Sequence, residues 1–154
     1  MGIALTLQEY LDDNHVPYDV MLHKRTHCAF DTARATHVPG ERLAKAVVLT
    51  REGGFVVAVV PATARVRVDV IERMLQCRVY LASEDEISEL FPDCDLGAVP
   101  PFPEAYAVEA FVDESFDKQP DIYLEGGDHR SLVHMTGEAF RSIMRDVKRA
   151  RIAA

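Results

Sequence analysis

The chain has no tryptophan, only three cysteines, and no apolar run long enough for a membrane span. A transmembrane helix needs about twenty predominantly apolar residues, so none is expected here. Cys28, Cys77 and Cys94 are odd in number and form no C-x-x-C pair. They argue for reduced thiols in a cytoplasmic setting, not for a disulfide framework. Basic residues are scarce: 17 Lys and Arg stand against 25 Asp and Glu, a formal net charge of −8. That excludes broad nonspecific nucleic-acid binding, which rests on neutralising phosphates. Any RNA contact has to be a local basic patch. No basic segment precedes the short apolar stretch after Met1, so no secretory signal is read there. Gly2 and Thr6 fit the loose N-myristoylation pattern, but the stretch reads more simply as a lead-in to a helix.

What is present fits one soluble domain: 154 residues, 48% apolar and 27% charged, enough for a genuine core. Thr6 with Glu9 resembles a capping box opening a helix to about Asn14, stopped by His15-Val16-Pro17. Tyr18–His23 alternates as a strand does, and Asp31–His37 reads as a helix before Pro39-Gly40. Val47–Arg51 and Phe55–Val60 flank Gly53-Gly54 as a hairpin, and their near-continuous apolar character predicts burial on both faces. Further helices are expected at Val68–Gln76, after Ser83, and along Phe140, Ile143, Met144 and Val147. Short strands are expected at Arg78–Leu81, Tyr106–Val112, Ile122–Leu124 and Leu132–Met135. Strands neither alternate strictly with helices nor segregate from them, which points to an α+β fold.

The chemistry-bearing residues are few. No Gly-x-Ser-x-Gly elbow supports a serine nucleophile, and Cys28 beside His27 reads as a packed thiol. His23 and His27 stand four apart, but His23 ends a strand and no His-Glu-x-x-His motif follows, so no metal is expected. Lys45 is different. It opens the apolar run Lys45–Leu49, where partial desolvation makes an amine a useful donor. Fifty residues on, Gly97-Ala98-Val99-Pro100-Pro101-Phe102 forms a Gly/Pro loop whose backbone a ligand can approach closely.

In order along the chain stand the Lys45 strand, Phe55–Ala62 ending in Pro61-Ala62, Gly97-x-x-x-Pro101-Phe102, Val112-Asp113-Glu114-Ser115, and Gly126-Gly127 before a last strand and helix. This arrangement resembles the YbaK / prolyl-tRNA-synthetase-associated domain family of aminoacyl-tRNA editing deacylases, from about Leu5 to about Val147. The resemblance implies one domain over residues 1–154, with a mixed, mainly antiparallel sheet surrounded by helices. It also implies a cytoplasmic, cofactor-free hydrolase that removes a wrong amino acid from misacylated tRNA. The resemblance further suggests trans-editing of a small wrong residue on tRNA(Pro), and the chain length points to a free-standing enzyme. An aminoacyl-tRNA synthetase or an elongation factor is a further partner the resemblance suggests, and no membrane is involved.

Residue by residue, the resemblance assigns Lys45 to catalysis, with His129 as a second catalytic candidate. It assigns Tyr18, His23, Gly97, Pro101, Gly126 and Gly127 to the aminoacyl pocket. For His23 and His129 a purely structural role is an equal alternative. Lys24, Arg25, Arg65 and Arg67 are the candidate RNA contacts, and a basic stripe on the last helix (Arg141, Arg145, Lys148, Arg149, Arg151) is a weaker one. His134 is expected to face away from the site. Many relatives carry a hydroxyl or amide residue where this chain has Ala46, which bears on amino-acid specificity. A second reading stays open, in which the same fold is a noncatalytic module for an aminoacyl ligand, a nucleotide or a protein, with Lys45 as a charge anchor.

Overall fold

The computed structural model describes residues 2–154. Its centre is the hairpin of β2 (Leu43–Arg51) and β3 (Gly54–Pro61), joined through Glu52-Gly53 with Gly53 at φ 80°. Val56 through Val60 are fully buried. Val57 and Val59 pack into the main core, whereas Val56, Ala58 and Val60 pack into a second cluster on the other face. Alternation of side chains along a strand explains how one apolar run serves both layers.

The sheet runs in the order β1 (Asp19–Leu22), β7 (Ser131–Thr136), β6 (Asp121–Glu125), β2, β3, β5 (Glu109–Asp113), β8 (Lys148–Ala150), with β4 (Val79–Leu81) on the far end of β2. The β1–β7, β7–β6, β2–β3 and β2–β4 pairs are antiparallel, while β2–β6, β3–β5 and β5–β8 are parallel. The fold is therefore α+β with a mixed sheet.

The main core sits on one face under α1 (Leu5–Asp13), α4 (Glu84–Leu90) and α5 (Gly137–Ile143), and is filled by Phe91, Phe102, Phe116 and Phe140. Each such side chain contributes about 1.5–3 kcal/mol by leaving water. The other face carries two smaller clusters. One lies under α3 (Val68–Leu75), around Ile71 and Phe111; the other lies under α2 (Ala29–Thr36), around Ala33, Leu43 and Leu132.

Some boundaries depart from the sequence reading. The Thr6/Glu9 capping box does not form: α1 starts from Ala4, and Thr6 N–H donates 2.8 Å to Asp93 Oδ2 from a distant loop. A tertiary carboxylate has replaced the local cap. Ser83 with Glu86 does form a full capping box. Residues 103–106 make a 3-10 turn with Pro103 at its start, so β5 begins at Glu109 rather than Tyr106. The largest correction is at the C-terminal end. α5 stops at Ile143, and Lys148–Ala150 turn back as a strand parallel to β5. The free edge of β5 demands backbone partners, and this outweighs the helical periodicity.

Candidate active site

Lys45 occupies a seam. Leu43, two residues before it and on the same face, packs in the α2 cluster; Val47, two residues after it, packs against the α3 cluster. Between these two small cores its amine is half-buried and donates to Ala62 O at 3.4 Å, at the end of β3. An ammonium carries three donors, so two N–H bonds remain for a ligand. Burial pushes the Lys45 amine below its usual value of 10.5; the Cys28 thiol opposes this and the Arg65 charge adds to it.

The sheet opens beside Lys45. β2 pairs with β6 only at Leu43–Tyr123 and Ala44–Leu124, and beyond that β2 goes on to pair with β4. A cleft of about 280 Å³ lies at this opening, lined by Lys45, Ala46, the α2 start at His27 and Cys28, Gly97 and Val99, and Glu125 and His129. Lys45 and the Gly97 loop, far apart in sequence, thus share one cavity.

The loop Gly126–Arg130 organises its far wall. Glu125 Oε1 accepts from Gly127 N–H at 3.2 Å and His129 N–H at 2.9 Å. Asp128 Oδ1 accepts from Arg130 N–H and Ser131 N–H, closing the turn. Gly126 has no room for a Cβ, which would meet Ile3 Cγ2 at 2.7 Å and Ser131 O at 3.0 Å. Gly127 O accepts from Asp95 N–H at 2.7 Å, tying this turn to the Gly97 loop.

His129 is buried at φ 61°, a left-handed conformation uncommon outside glycine. Its Nε2 donates 2.6 Å to Leu96 O, so that nitrogen carries the proton. Gly97, at φ 80°, lies against the imidazole; a Cβ there would stand 3.4 Å from His129 Cε1. His129 is thus a brace on the Gly97 loop and also part of the cleft wall.

The remaining expected pocket residues lie off the cleft lining. Tyr18 packs on the main core and donates to Asp12 Oδ1 at 3.3 Å. His23 Nδ1 donates to Lys24 O at 2.7 Å, while its Nε2 is buried without a partner. Pro101 is buried beside the core residue Phe102, and Gly126 and Gly127 act through backbone geometry. His134 sits between Asp19 and Asp121 and stacks on Tyr123, outside the cleft. No group of three metal-ligating side chains is gathered among the described residues.

Of the basic candidates, Arg25 faces Asp95 at 3.6 Å and Arg67 faces Asp69 at 3.7 Å, while Lys24 and Arg65 make no ion pair among the described residues. The basic stripe does not exist as a helix face. Arg141 donates to the carbonyls of Asp117 and Gln119, and Arg145, Lys148 and Arg149 face Asp146, Glu109 and Asp117. A larger cavity of about 630 Å³ near Asp113 and Ser115 is lined by Arg151 of that stripe and by none of the residues expected for catalysis or the aminoacyl pocket.

Sequence reasoning overlooked Glu125. Its one signal is position: a carboxylate ending a strand just before Gly-Gly. Burial pushes that carboxyl up, against the lowering effect of the two backbone donors. Cys28, read as packed, is exposed and lines the cleft.

Solved structures share this fold. Hypothetical protein APE2540 matches with a TM-score of 0.85 at 18% identity, over 97% of this chain and 99% of that one. A protein described as a candidate trans-editing enzyme for prolyl-tRNA synthetase matches with a TM-score of 0.83 at 22% identity, over 98% and 96%. A candidate signal transduction protein from Marinobacter aquaeolei matches with a TM-score of 0.77 at 18% identity; the match covers 97% of this chain and 30% of that longer one. No curated protein sequence matches significantly. A family model does match, over residues 23–143, and that span takes in Lys45, the Gly97 loop, Glu125 and His129. The chain belongs to the aminoacyl-tRNA editing domain family.

Proposed function

We propose that residues 1–154 form an aminoacyl-tRNA deacylase domain, whose cleft hydrolyses the ester between a small wrong amino acid and the terminal ribose of a tRNA. The observation that carries this reading is the meeting of Lys45 and Gly97 in one cleft of about 280 Å³. That is at or below the small end of ligand pockets, roughly 300–1,000 Å³, and suits a small aminoacyl group.

The ester is already activated, so positioning a water or the vicinal ribose hydroxyl is the main demand. The attack places negative charge on the carbonyl oxygen. Lys45 donates to that oxygen with the N–H bonds not held by Ala62, and the Gly97 loop adds backbone donors. Ala98 N–H is already committed to Asp95 O, so Gly97 and Val99 are the donors assigned here. Ala46 makes that part of the wall small and apolar, and lacks the polar group that would bind a hydroxylated side chain.

Editing of this kind answers a physical limit, since a synthetase cannot reject a slightly smaller side chain by binding alone. tRNA(Pro) is the favoured substrate, and trans-editing in the cytoplasm beside a synthetase or elongation factor is the setting. Lys24 and Arg65, which make no ion pair among the described residues, are the phosphate contacts assigned first, with Arg25 and Arg67 released from their carboxylates on binding.

Incubation with a panel of mischarged tRNAs, following free amino acid, tests this. Lys45→Ala is expected to lower the rate by about 10²–10³ with an unchanged melting temperature. Lys45→Arg is expected to fail as well, because a planar guanidinium does not replace a compact ammonium at a tight site. Full activity of either variant overturns the role of Lys45. The net charge of −8 favours a second reading, a noncatalytic ligand-binding module. Ligand binding with no release from any tRNA in the panel would select it.

A further inference from the structure

Lys45 has a counterpart across the cleft. In the parallel β2–β6 register Ala44 stands opposite Leu124, so Lys45 and Glu125 are the next residues on each strand where pairing stops. Both line the cleft, yet they form no ion pair among the described residues. An ammonium and a carboxylate are held apart in one small cavity. Left to themselves, opposite charges this close in sequence register would pair.

The carboxylate is half used. Oε1 takes both backbone donors of the Gly127–His129 turn, whereas Oε2 accepts nothing from the described residues, and the side chain lines the cleft. The turn needs one acceptor oxygen only. A neutral amide would supply it without the cost of desolvating a charge. What remains unexplained by the fold is the second oxygen and the negative charge.

An aminoacyl ester has a matching pattern: one carbon joins its carbonyl to its α-ammonium. We infer that Glu125 Oε2 receives the α-ammonium of the aminoacyl group while Lys45 holds the ester carbonyl, so that the cleft demands a free amine. This rests on the deacylase reading and adds a specificity to it. Esters whose amine is blocked, such as N-formylated or peptidyl-tRNA, would place an uncharged amide against Oε2 and lose the charge-assisted bond. The device separates a mischarged tRNA from one carrying a growing peptide.

Burial holds the Glu125 carboxyl above its usual value, and an arriving ammonium offsets that penalty. The groups around it are His129 and Asp128 from its own loop, Cys94 beside that loop, Lys45 from β2, and His27 and Cys28 from the α2 start.

Binding can be measured with non-hydrolysable 3′-alanylamino-3′-deoxyadenosine, its N-acetyl derivative, and the propionyl analogue that lacks the amine. The wild-type protein is expected to prefer the free amine by about tenfold or more over the other two. In Glu125→Gln, which keeps an oxygen for the turn, that preference is expected to vanish with the propionyl affinity unchanged and the melting temperature not lowered. Equal binding of the three by the wild type, no binding of any, or a preference surviving in Glu125→Gln overturns the assignment. Deacylation of alanyl-tRNA is followed separately. A wild-type protein that prefers the amine without hydrolysing the ester leaves the amine site standing and removes the deacylase.

Discussion

Lys45 illustrates how a strand position comes to hold a half-buried amine at a cleft. Flanked on its own face by Leu43 and Val47, it is desolvated enough to lie below 10.5 yet keeps N–H bonds free. Two consequences have opposite signs. A lowered amine value means the folded state holds that proton less tightly, so desolvation costs stability at neutral pH and the cost fades as pH rises toward 10.5. Catalysis that needs the ammonium runs the other way. After subtraction of spontaneous ester hydrolysis, kcat/KM is expected to fall on an alkaline limb whose midpoint lies below 10.5. A limb at or above that value, or none, would show that the ammonium is not the donor. Lys45 stood out as a candidate in the sequence because a lysine opening an apolar run is conspicuous; Glu125 did not, since its place in the cleft depends on which strand lies beside it.

At the scale of elements, the C-terminal segment is held by one buried carboxylate. Asp113 Oδ1 accepts from Ile152 N–H at 2.9 Å and Ala153 N–H at 3.0 Å, and Oδ2 accepts from Ser115 N–H at 3.1 Å. Asp113 is 3% exposed, so removing the acceptor leaves donors buried without partners. Asp113→Ala is expected to cost about 3 kcal/mol and roughly 10 °C in Tm, with Asp113→Asn recovering part of it. Deacylation at low temperature is expected to persist, because this clamp lies beside the large cavity and not the Lys45 cleft. A drop of less than about 2 °C by calorimetry would mean water replaces the carboxylate freely. The same region shows why periodicity misled. Phe140, Met144 and Val147 are all buried as expected, but the last reaches the core from a turn leading into β8.

For the molecule as a whole, the acid excess limits how RNA is engaged. Seven of the cations face carboxylates and Arg141 is held by carbonyls, while Lys24 and Arg65 make no ion pair among the described residues. Association with tRNA is therefore expected to depend weakly on salt, with a log–log slope shallower than about −3, which corresponds to a few phosphates neutralised. A titration of binding between low and moderate salt measures it. A slope near −6 would demand an extended basic surface that this fold does not present. Charge composition alone leads to this expectation, since net charge is a sum and needs no coordinates.

Local and additive properties were determined by the sequence alone. The β2–β3 hairpin followed from two β-branched runs around a glycine turn, and the Ser83 cap from its Glu86 partner, because these interactions span a few residues. The α+β class followed from the order of such elements, and the Lys45 and Gly97 candidates from their own chemistry. Only the tertiary structure decided what joins them. The β2–β6 pairing stops after two residues and opens a cleft; His129 braces the Gly97 loop through Leu96 O; β5 draws residues 148–150 out of a helix. Each depends on backbone groups brought together over long sequence separations, where the need to satisfy a buried N–H or C=O outweighs local preference.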